Sequence, residues 1–174
     1  MDKRILYRAK HINASPKNKH LNGKWIEGYL SDKNYIDAPK LGGELLVDEN
    51  TICQRAGTVS GQEIWENDIC QWTNTIYGKC TGVVRYGKWT QDGSGGEYDG
   101  TKCLGWYLEV KRVQRREWDD LVLTDEEAEE EYPDYKRTIS LIDDDSWDIQ
   151  DFAVVGNIFD NPELLEVAKF ETIK

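Results

Sequence analysis

The sequence has no long apolar run and none of the usual signatures of a membrane, secreted or nucleotide-binding protein. A membrane-spanning helix needs about 20 consecutive apolar residues, and no such stretch occurs. Residues 1–8 lack the apolar core of a secretory signal. The glycine-rich stretch near residue 95 is not followed by the Gly-Lys-Ser/Thr of a phosphate-binding loop. We therefore expect a cytoplasmic protein without membrane contact.

Histidine is scarce, and cysteine is poorly spaced for metal binding. The two histidines are His11 and His20, and the four cysteines are Cys53, Cys70, Cys80 and Cys103. No Cys-x-x-Cys pair occurs, whereas zinc sites usually draw their ligands from closely spaced pairs. We expect reduced, mostly buried thiols and no metal or cofactor. A zinc site assembled from distant residues is the alternative.

Acidic residues outnumber basic residues, and the two are unevenly distributed. The chain of 174 residues has 22 Lys or Arg and 33 Asp or Glu, a formal net charge of −11. Residues 1–40 hold nine Lys or Arg against four Asp or Glu, whereas residues 117–151 hold two against fifteen. Such a balance argues against general phosphate-backbone binding, which needs clustered cations. We interpret the acidic stretch as a solvated surface. The alternatives are pairing with the basic N-terminal part of its own or another copy, and mimicry of nucleic-acid charge.

Short β-prone segments separated by turn residues dominate the chain. In the stretch Gly61–Trp72, Gly61 predicts a tight turn with positive φ, and Glu66-Asn67-Asp68 predicts a second turn. Asn22-Gly23 predicts a two-residue hairpin turn of the primed type. Asn161 followed by Pro162 predicts the start of a helix. These patterns predict a mainly β (β-rich α+β) fold.

We expect one domain over residues 1–174. Its predicted parts are an N-terminal hairpin region at about 1–60, a barrel at about 61–160 and a C-terminal helix at about 161–170. The barrel would contain a glycine-rich loop at about 90–100 and an acidic insertion at about 117–151.

Aromatic residues make up 11% of the chain, including seven tryptophans. Large aromatic side chains on strands either fill a core or, when exposed together, mark an interaction surface. The candidate interaction residues are Trp25, Tyr29, Trp65, Trp72, Trp89 and Trp106. Core packing is the alternative role for each of them.

Three segments together resemble the YopX family of phage and prophage proteins. They are Asn22–Leu30, Val47–Gly57 continuing into Gly61–Ile69, and Val154–Leu165. Asn67 stands where the family usually has glycine, and asparagine tolerates the same left-handed backbone. The glycine-rich loop and the acidic stretch look like additions to the family core. The resemblance implies a small SH3-like barrel with extra strands and a C-terminal helix, acting in the host cytoplasm. The family has no established activity, so it supplies no catalytic residues.

The leading hypothesis is a non-enzymatic binding module that engages a host or phage protein through aromatic residues and complementary charge. A homo-oligomer is one form that such binding would take. A nucleic-acid-associated protein or acidic DNA mimic is the second hypothesis. An undetected enzyme or metal protein is the third.

Overall fold

The computed structural model describes residues 4–12, 15–74, 78–90, 102–114, 138–140 and 150–166. The described part is mainly β, with two antiparallel sheets, one of them curled into a half-barrel, and little helix. The prediction of a mainly β fold is confirmed. The predicted glycine-rich loop, from residue 91 on, and most of the predicted acidic insertion lie outside the described residues. No helix in the described ranges is long and apolar enough to cross a membrane.

Six strands form the first sheet. They are β1 (Leu6–Lys10), β2 (Trp25–Asp32), β3 (Tyr35–Ala38), β4 (Gly43–Leu46), β5 (Cys53–Val59) and β6 (Gln62–Trp65). Their spatial order is β4-β3-β2-β1-β5-β6. Short 3₁₀ helices at Pro16–Leu21, Pro39–Leu41 and Glu49–Thr51 lie in the connections.

Five strands form the second sheet. They are β7 (Asp68–Asn74), β8 (Gly78–Thr90), β9 (Lys102–Gln114), β10 (Thr138–Ser140) and β11 (Gln150–Asn157). Their spatial order is β10-β9-β8-β7-β11. Strands β8 and β9 are the longest, with 13 residues each.

The chain divides into two compact units. The first contains Met1–Gly57 and Glu63–Glu66, and the second contains Thr58–Gln62 and Asn67–Lys174. Each unit has its own buried residues. Within a unit, side chains on a strand alternate between the two faces of the sheet.

One face of β1 to β4 forms the core of the first unit. Its buried cluster consists of Ala9, Ile26, Ile36, Ala38, Leu45 and Val47. Ala9 lies opposite Ile26 in the β1–β2 register. Gly28, on the same face, has no room for a side chain, since a Cβ there would lie 2.7 Å from Cγ2 of Ile36. A small residue is therefore required where β2 approaches β3.

The second unit is built around large buried side chains of β7, β8 and β9. Ile69, Val83, Val84 and Leu108 are fully buried, and Trp72 is 1% exposed. The Trp72 ring lies against Gly82, where a Cβ would be only 2.8 Å from the ring carbon Cη2. Trp72 is therefore packed against the backbone of β8.

Turn chemistry confirms one sequence prediction and corrects another. Ser60 and Gly61 have φ values of 49° and 77°, so the turn from β5 to β6 has the positive φ expected at Gly61. Asn22 has φ −54° and ψ 128°, and Gly23 has φ 74°. Those angles describe a type II turn, so the prediction of a primed turn at Asn22-Gly23 was wrong. The reason is that Asn22-Gly23 ends the 3₁₀ helix at Pro16–Leu21 and does not join two adjacent strand ends.

The predicted C-terminal helix is not confirmed. Pro162–Leu165 is a 3₁₀ helix, and the next residue, Glu166, is extended with φ −68° and ψ 131°. Asn161 makes no side-chain capping bond there. Its side chain instead lies against Gly156, where a Cβ would be 2.5 Å from the Asn161 Oδ1 atom. Residues 167–174, which the prediction included in part, lie outside the described residues.

Candidate interaction surface

The six aromatic residues proposed for an interaction surface differ in exposure. Trp65 and Trp72 are 3% and 1% exposed, so they belong to the interior and cannot contact a partner in the folded protein. The other four, Trp25, Tyr29, Trp89 and Trp106, are half-buried and keep some surface in contact with solvent. The first two of these lie in the first unit and the last two in the second.

Trp25 and Tyr29 lie on the sheet face opposite the core of the first unit. They alternate along β2 with the buried Ile26 and Gly28. In the β1–β2 register, Lys10 lies opposite Trp25. The face that β1 and β2 turn away from the core therefore carries cations and rings on neighbouring strands.

Three cations lie over these aromatic rings. Cζ of Arg4 is 3.8 Å from the centroid of the Tyr29 ring. Cζ of Arg8 is 4.8 Å from the Trp25 centroid, and Nζ of Lys10 is 5.6 Å from the same centroid. We call Arg4, Arg8, Lys10, Trp25 and Tyr29 the cation–aromatic face. Contacts of this kind are worth about 0.5–1 kcal/mol each at exposed sites.

Arg8 also contacts the buried ring of Trp65, with 5.2 Å between Cζ and the ring centroid. Trp65 thus has a supporting role behind the cation–aromatic face. Substitution of Arg8 would disturb the interior of the unit, whereas Arg4 is exposed and Lys10 is half-buried. Arg4 and Lys10 are therefore the better positions for testing binding.

Carboxylates lie on the same face of the sheet. Glu27 is opposite Arg8 in the β1–β2 register, and Asp37 is opposite Tyr29 in the β2–β3 register. The positive charges are concentrated on and just before β1, and the negative charges lie on β2 and β3. The face is a mixed-charge surface and not a uniform basic patch.

Trp89 and Trp106 lie on opposite faces of the β8–β9 ribbon. Trp106 is opposite Tyr86 in register, and their ring centroids are 5.0 Å apart in an edge-to-face arrangement. Trp89 stacks with Tyr107 on the other face, with 6.0 Å between centroids. These two tryptophans are thus brought near other aromatic residues and not near each other.

The sequence interpretation did not include the cations of the cation–aromatic face, nor Tyr86 and Leu104. Tyr86 is 52% exposed and Leu104 is 68% exposed. The signal that could have identified Arg8 and Lys10 is their two-residue spacing on a strand, opposite the two-residue spacing of Trp25 and Glu27. That signal becomes useful only when the register of the two strands is known.

Several ionisable groups of the described residues form structural contacts. Nδ1 of His11 lies 2.7 Å from the carbonyl oxygen of Leu46, and His11 is 2% exposed. Arg85 Nε and Lys111 Nζ both donate to the carboxylate of Glu109, at 3.1 Å and 2.5 Å. No group of three or more His, Cys, Asp or Glu side chains suited to a metal ion occurs in the described part of the chain.

Comparisons with protein-family models, with curated proteins and with solved structures find no match for this chain. The resemblance to the YopX family stays a prediction that rests on its three sequence segments.

Proposed function

We propose that this chain is a phage- or prophage-encoded, non-enzymatic binding module that engages an acidic segment of a host or phage protein through the cation–aromatic face. The proposal includes a single YopX-like domain, an elaborated SH3-like barrel with a C-terminal helix, and action in the host cytoplasm. The observation that carries it is the placement of Arg4, Arg8 and Lys10 over aromatic rings on one sheet face.

Aromatic support prepares the cations for binding. A side chain held against a ring has lost part of its rotamer freedom before a partner arrives, so less entropy is lost on association. A guanidinium over a ring also keeps its N–H donors at the edge of its plane, where a carboxylate can accept two of them. Arg4, which is exposed, is therefore suited to carboxylate recognition while it remains in contact with Tyr29.

The spacing of the cations suits an extended polypeptide. Arg8 and Lys10 are two residues apart on β1, which places them about 6.7 Å apart on one face. An extended partner with carboxylates at every second residue has the same repeat. The carboxylates Glu27 and Asp37 on the same face favour a partner whose carboxylates are spaced apart, because they would repel a continuous line of phosphates.

Single-stranded nucleic acid is the second candidate ligand. Cations beside aromatic rings on a sheet face also occur in proteins that bind single strands. In this chain, however, the rings of Trp25 and Tyr29 are contacted by cations, and the net charge is −11. Base stacking on those ring faces would require Arg4 and Arg8 to move away.

Fluorescence anisotropy with two defined probes separates these functions. One probe is a labelled nine-residue peptide in which Glu and Ser alternate, and the other is a labelled single-stranded oligonucleotide of equal formal charge. The peptide should bind more tightly than the oligonucleotide, and its affinity should fall as salt is raised from about 50 to about 300 mM. Tighter binding of the oligonucleotide would contradict the proposal.

Paired variants locate the binding. Arg4→Gln with Lys10→Gln should weaken peptide binding about 5- to 10-fold, because two partly exposed ion pairs are lost. The matched control is Lys17→Gln with Lys19→Gln, which removes two exposed cations from the 3₁₀ helix Pro16–Leu21. An equal loss in the control would show general charge attraction and would overturn the assignment of the face.

A further inference from the structure

The distal half of the β8–β9 ribbon carries an apolar face that no other described strand covers. Strand β7 pairs with β8 over Gly78–Val83, and β10 pairs with β9 over residues 107–109. Beyond those pairings, in the described part of the chain, residues 86–90 and 102–106 pair only with each other. The distal ribbon, as we call these two segments, is thus a two-stranded arm.

The exposed apolar side chains of the distal ribbon lie on one of its faces. Tyr86 pairs with Trp106, and the next residues on that face are Lys88 and Leu104, which also pair. Nearer the base of the ribbon, the same face carries Val84 and Leu108, which are fully buried. The side chains on this face therefore change from fully buried at Val84 to exposed at Tyr86, two residues further along β8.

Leu104 and Tyr86 are large hydrophobic residues that are strongly exposed, at 68% and 52%. Tyr86 is held edge-to-face against Trp106, which limits the motion of both rings. A rigid aromatic pair beside an exposed leucine provides contact area at small entropic cost, which is typical of protein recognition sites.

Among the described residues of the distal ribbon, the charges on this face are all positive. Lys88 and Lys102 are its only charged residues beyond Tyr86 and Trp106, and both are exposed. A second copy of the same face would bring four lysines together, which disfavours self-association through it. A partner with apolar side chains flanked by carboxylates is complementary in both polarity and charge.

We propose that the distal ribbon is a second docking surface, independent of the cation–aromatic face, and that it binds an extended acidic protein segment with aliphatic residues. Aliphatic side chains of the partner contact Tyr86, Leu104 and Trp106, and its carboxylates contact Lys88 and Lys102. The strands in the distal ribbon are five residues long, about 17 Å, so a peptide of similar length covers the face. The small contact area predicts a dissociation constant of roughly 10–100 µM.

Anisotropy titration with a labelled nine-residue peptide that alternates Glu with Leu or Val tests this proposal. Two control peptides replace the Glu residues by Lys or the Leu and Val residues by Ser. The acidic aliphatic peptide should bind at least about tenfold more tightly than either control, because it alone matches both charge and polarity. Equal binding of the Lys peptide, or tighter binding of anionic phosphatidylserine vesicles or of a single-stranded oligonucleotide, would overturn the proposal.

Variants of exposed residues locate the peptide on the ribbon. Tyr86→Ser with Leu104→Ser should weaken binding about tenfold or more, and Lys88→Glu with Lys102→Glu should weaken it and reverse its salt dependence. The matched controls are Val155→Ser and Lys79→Glu, which change exposed residues of the same unit outside the distal ribbon. Both controls should bind as the unaltered protein does, and a similar loss in either would contradict the assignment.

Binding to the distal ribbon can be tested separately from binding to the cation–aromatic face. The ribbon variants leave Arg4, Arg8 and Lys10 in place, so they should not change binding of the Glu-Ser peptide. Equal thermal unfolding midpoints for all variants establish that each one is folded. If the ribbon variants lost binding of both peptides without a change in stability, the two surfaces would not be independent.

Discussion

The side chain of Arg85 donates a hydrogen bond from Nη1 to Oδ1 of Asn67, 18 residues earlier in the chain. Asn67 has φ 67°, in the left-handed region, as the sequence predicted. Its backbone N–H donates to the Val84 carbonyl at 2.9 Å, and its carbonyl accepts from the Ile158 N–H at 3.1 Å. Asparagine therefore supplies the backbone conformation that glycine would allow and adds a side-chain bond that glycine cannot make.

Substitutions at Asn67 separate these two contributions. Asn67→Gly keeps the left-handed backbone and loses the bond to Arg85, so the free energy of unfolding should fall by about 1 kcal/mol. Asn67→Ala loses the same bond and adds left-handed strain, so the fall should be about 2–3 kcal/mol. Urea unfolding measures both. An alanine variant as stable as the glycine variant would contradict a role for backbone strain.

Gly82 is predicted to tolerate no side chain. A Cβ at Gly82 would lie 2.8 Å from the Trp72 ring and 2.8 Å from the carbonyl oxygen of Glu109. Gly82→Ala should therefore lower the free energy of unfolding by about 1–3 kcal/mol through overpacking, and a larger residue should cost more.

Gly61 is the control position for the Gly82 substitution, since its φ is 77° and a Cβ there would meet nothing within 4 Å. Gly61→Ala should be destabilising through backbone strain alone, and Gly61→Asn should recover most of the loss because asparagine accepts positive φ. At Gly82, asparagine should be worse than alanine. The opposite order at Gly82 would show that space beside Trp72 is not the limiting factor.

The β class, the turn at Gly61 and the left-handed Asn67 could be predicted because each depends on local chemistry. Exposure of the aromatic residues could not, because alternation along a strand indicates which side chains share a face but not what covers that face. For this reason the sequence left surface and core as alternatives for Trp65 and Trp72, and the structure buries both. The cations over Trp25 and Tyr29 were missed because their position depends on the β1–β2 register. Along the chain, the 3₁₀ helix Pro16–Leu21 separates β1 from β2, so no tight hairpin turn indicates their register in the sequence.

The ion pairs of Glu109 should make a small contribution to stability that depends on pH. Partial burial raises the pKa of Glu109, but hydrogen bonds and charge interactions with Lys111 and Arg85 lower it by more, so the net pKa lies below 4.5. A lowered pKa in the folded state means that this stabilisation is complete above pH 4.5 and is lost as pH falls through the folded pKa.

Glu109→Gln should therefore reduce the loss of stability between about pH 5 and about pH 3. The control is Glu44→Gln, which changes an exposed carboxylate on β4. Urea unfolding at both pH values measures the difference. If the acid-side loss were the same in Glu109→Gln and in the unaltered protein, the pairing with Arg85 and Lys111 would not stabilise the fold.

The four thiols should differ in reactivity. Cys53, Cys70 and Cys80 are fully buried, whereas Cys103 is half-buried on β9. Burial and the nearby carboxylate of Asp68 also raise the pKa of Cys70, which disfavours its reactive thiolate. Iodoacetamide at about pH 8 should modify Cys103 first in the native protein, and mass spectrometry should find the other three only after unfolding. Early modification of Cys70 would contradict its burial.

A pull-down from lysate of the host bacterium, at low and at high salt, tests the central claim most directly. The immobilised protein should retain one host or phage protein at low salt, without nucleic acid, and release it at high salt. The Arg4→Gln and Lys10→Gln variant should lose that protein, whereas the Lys17→Gln and Lys19→Gln control should keep it. Recovery of nucleic acid in place of a protein, or equal retention by both variants, would contradict a protein-binding role for the cation–aromatic face.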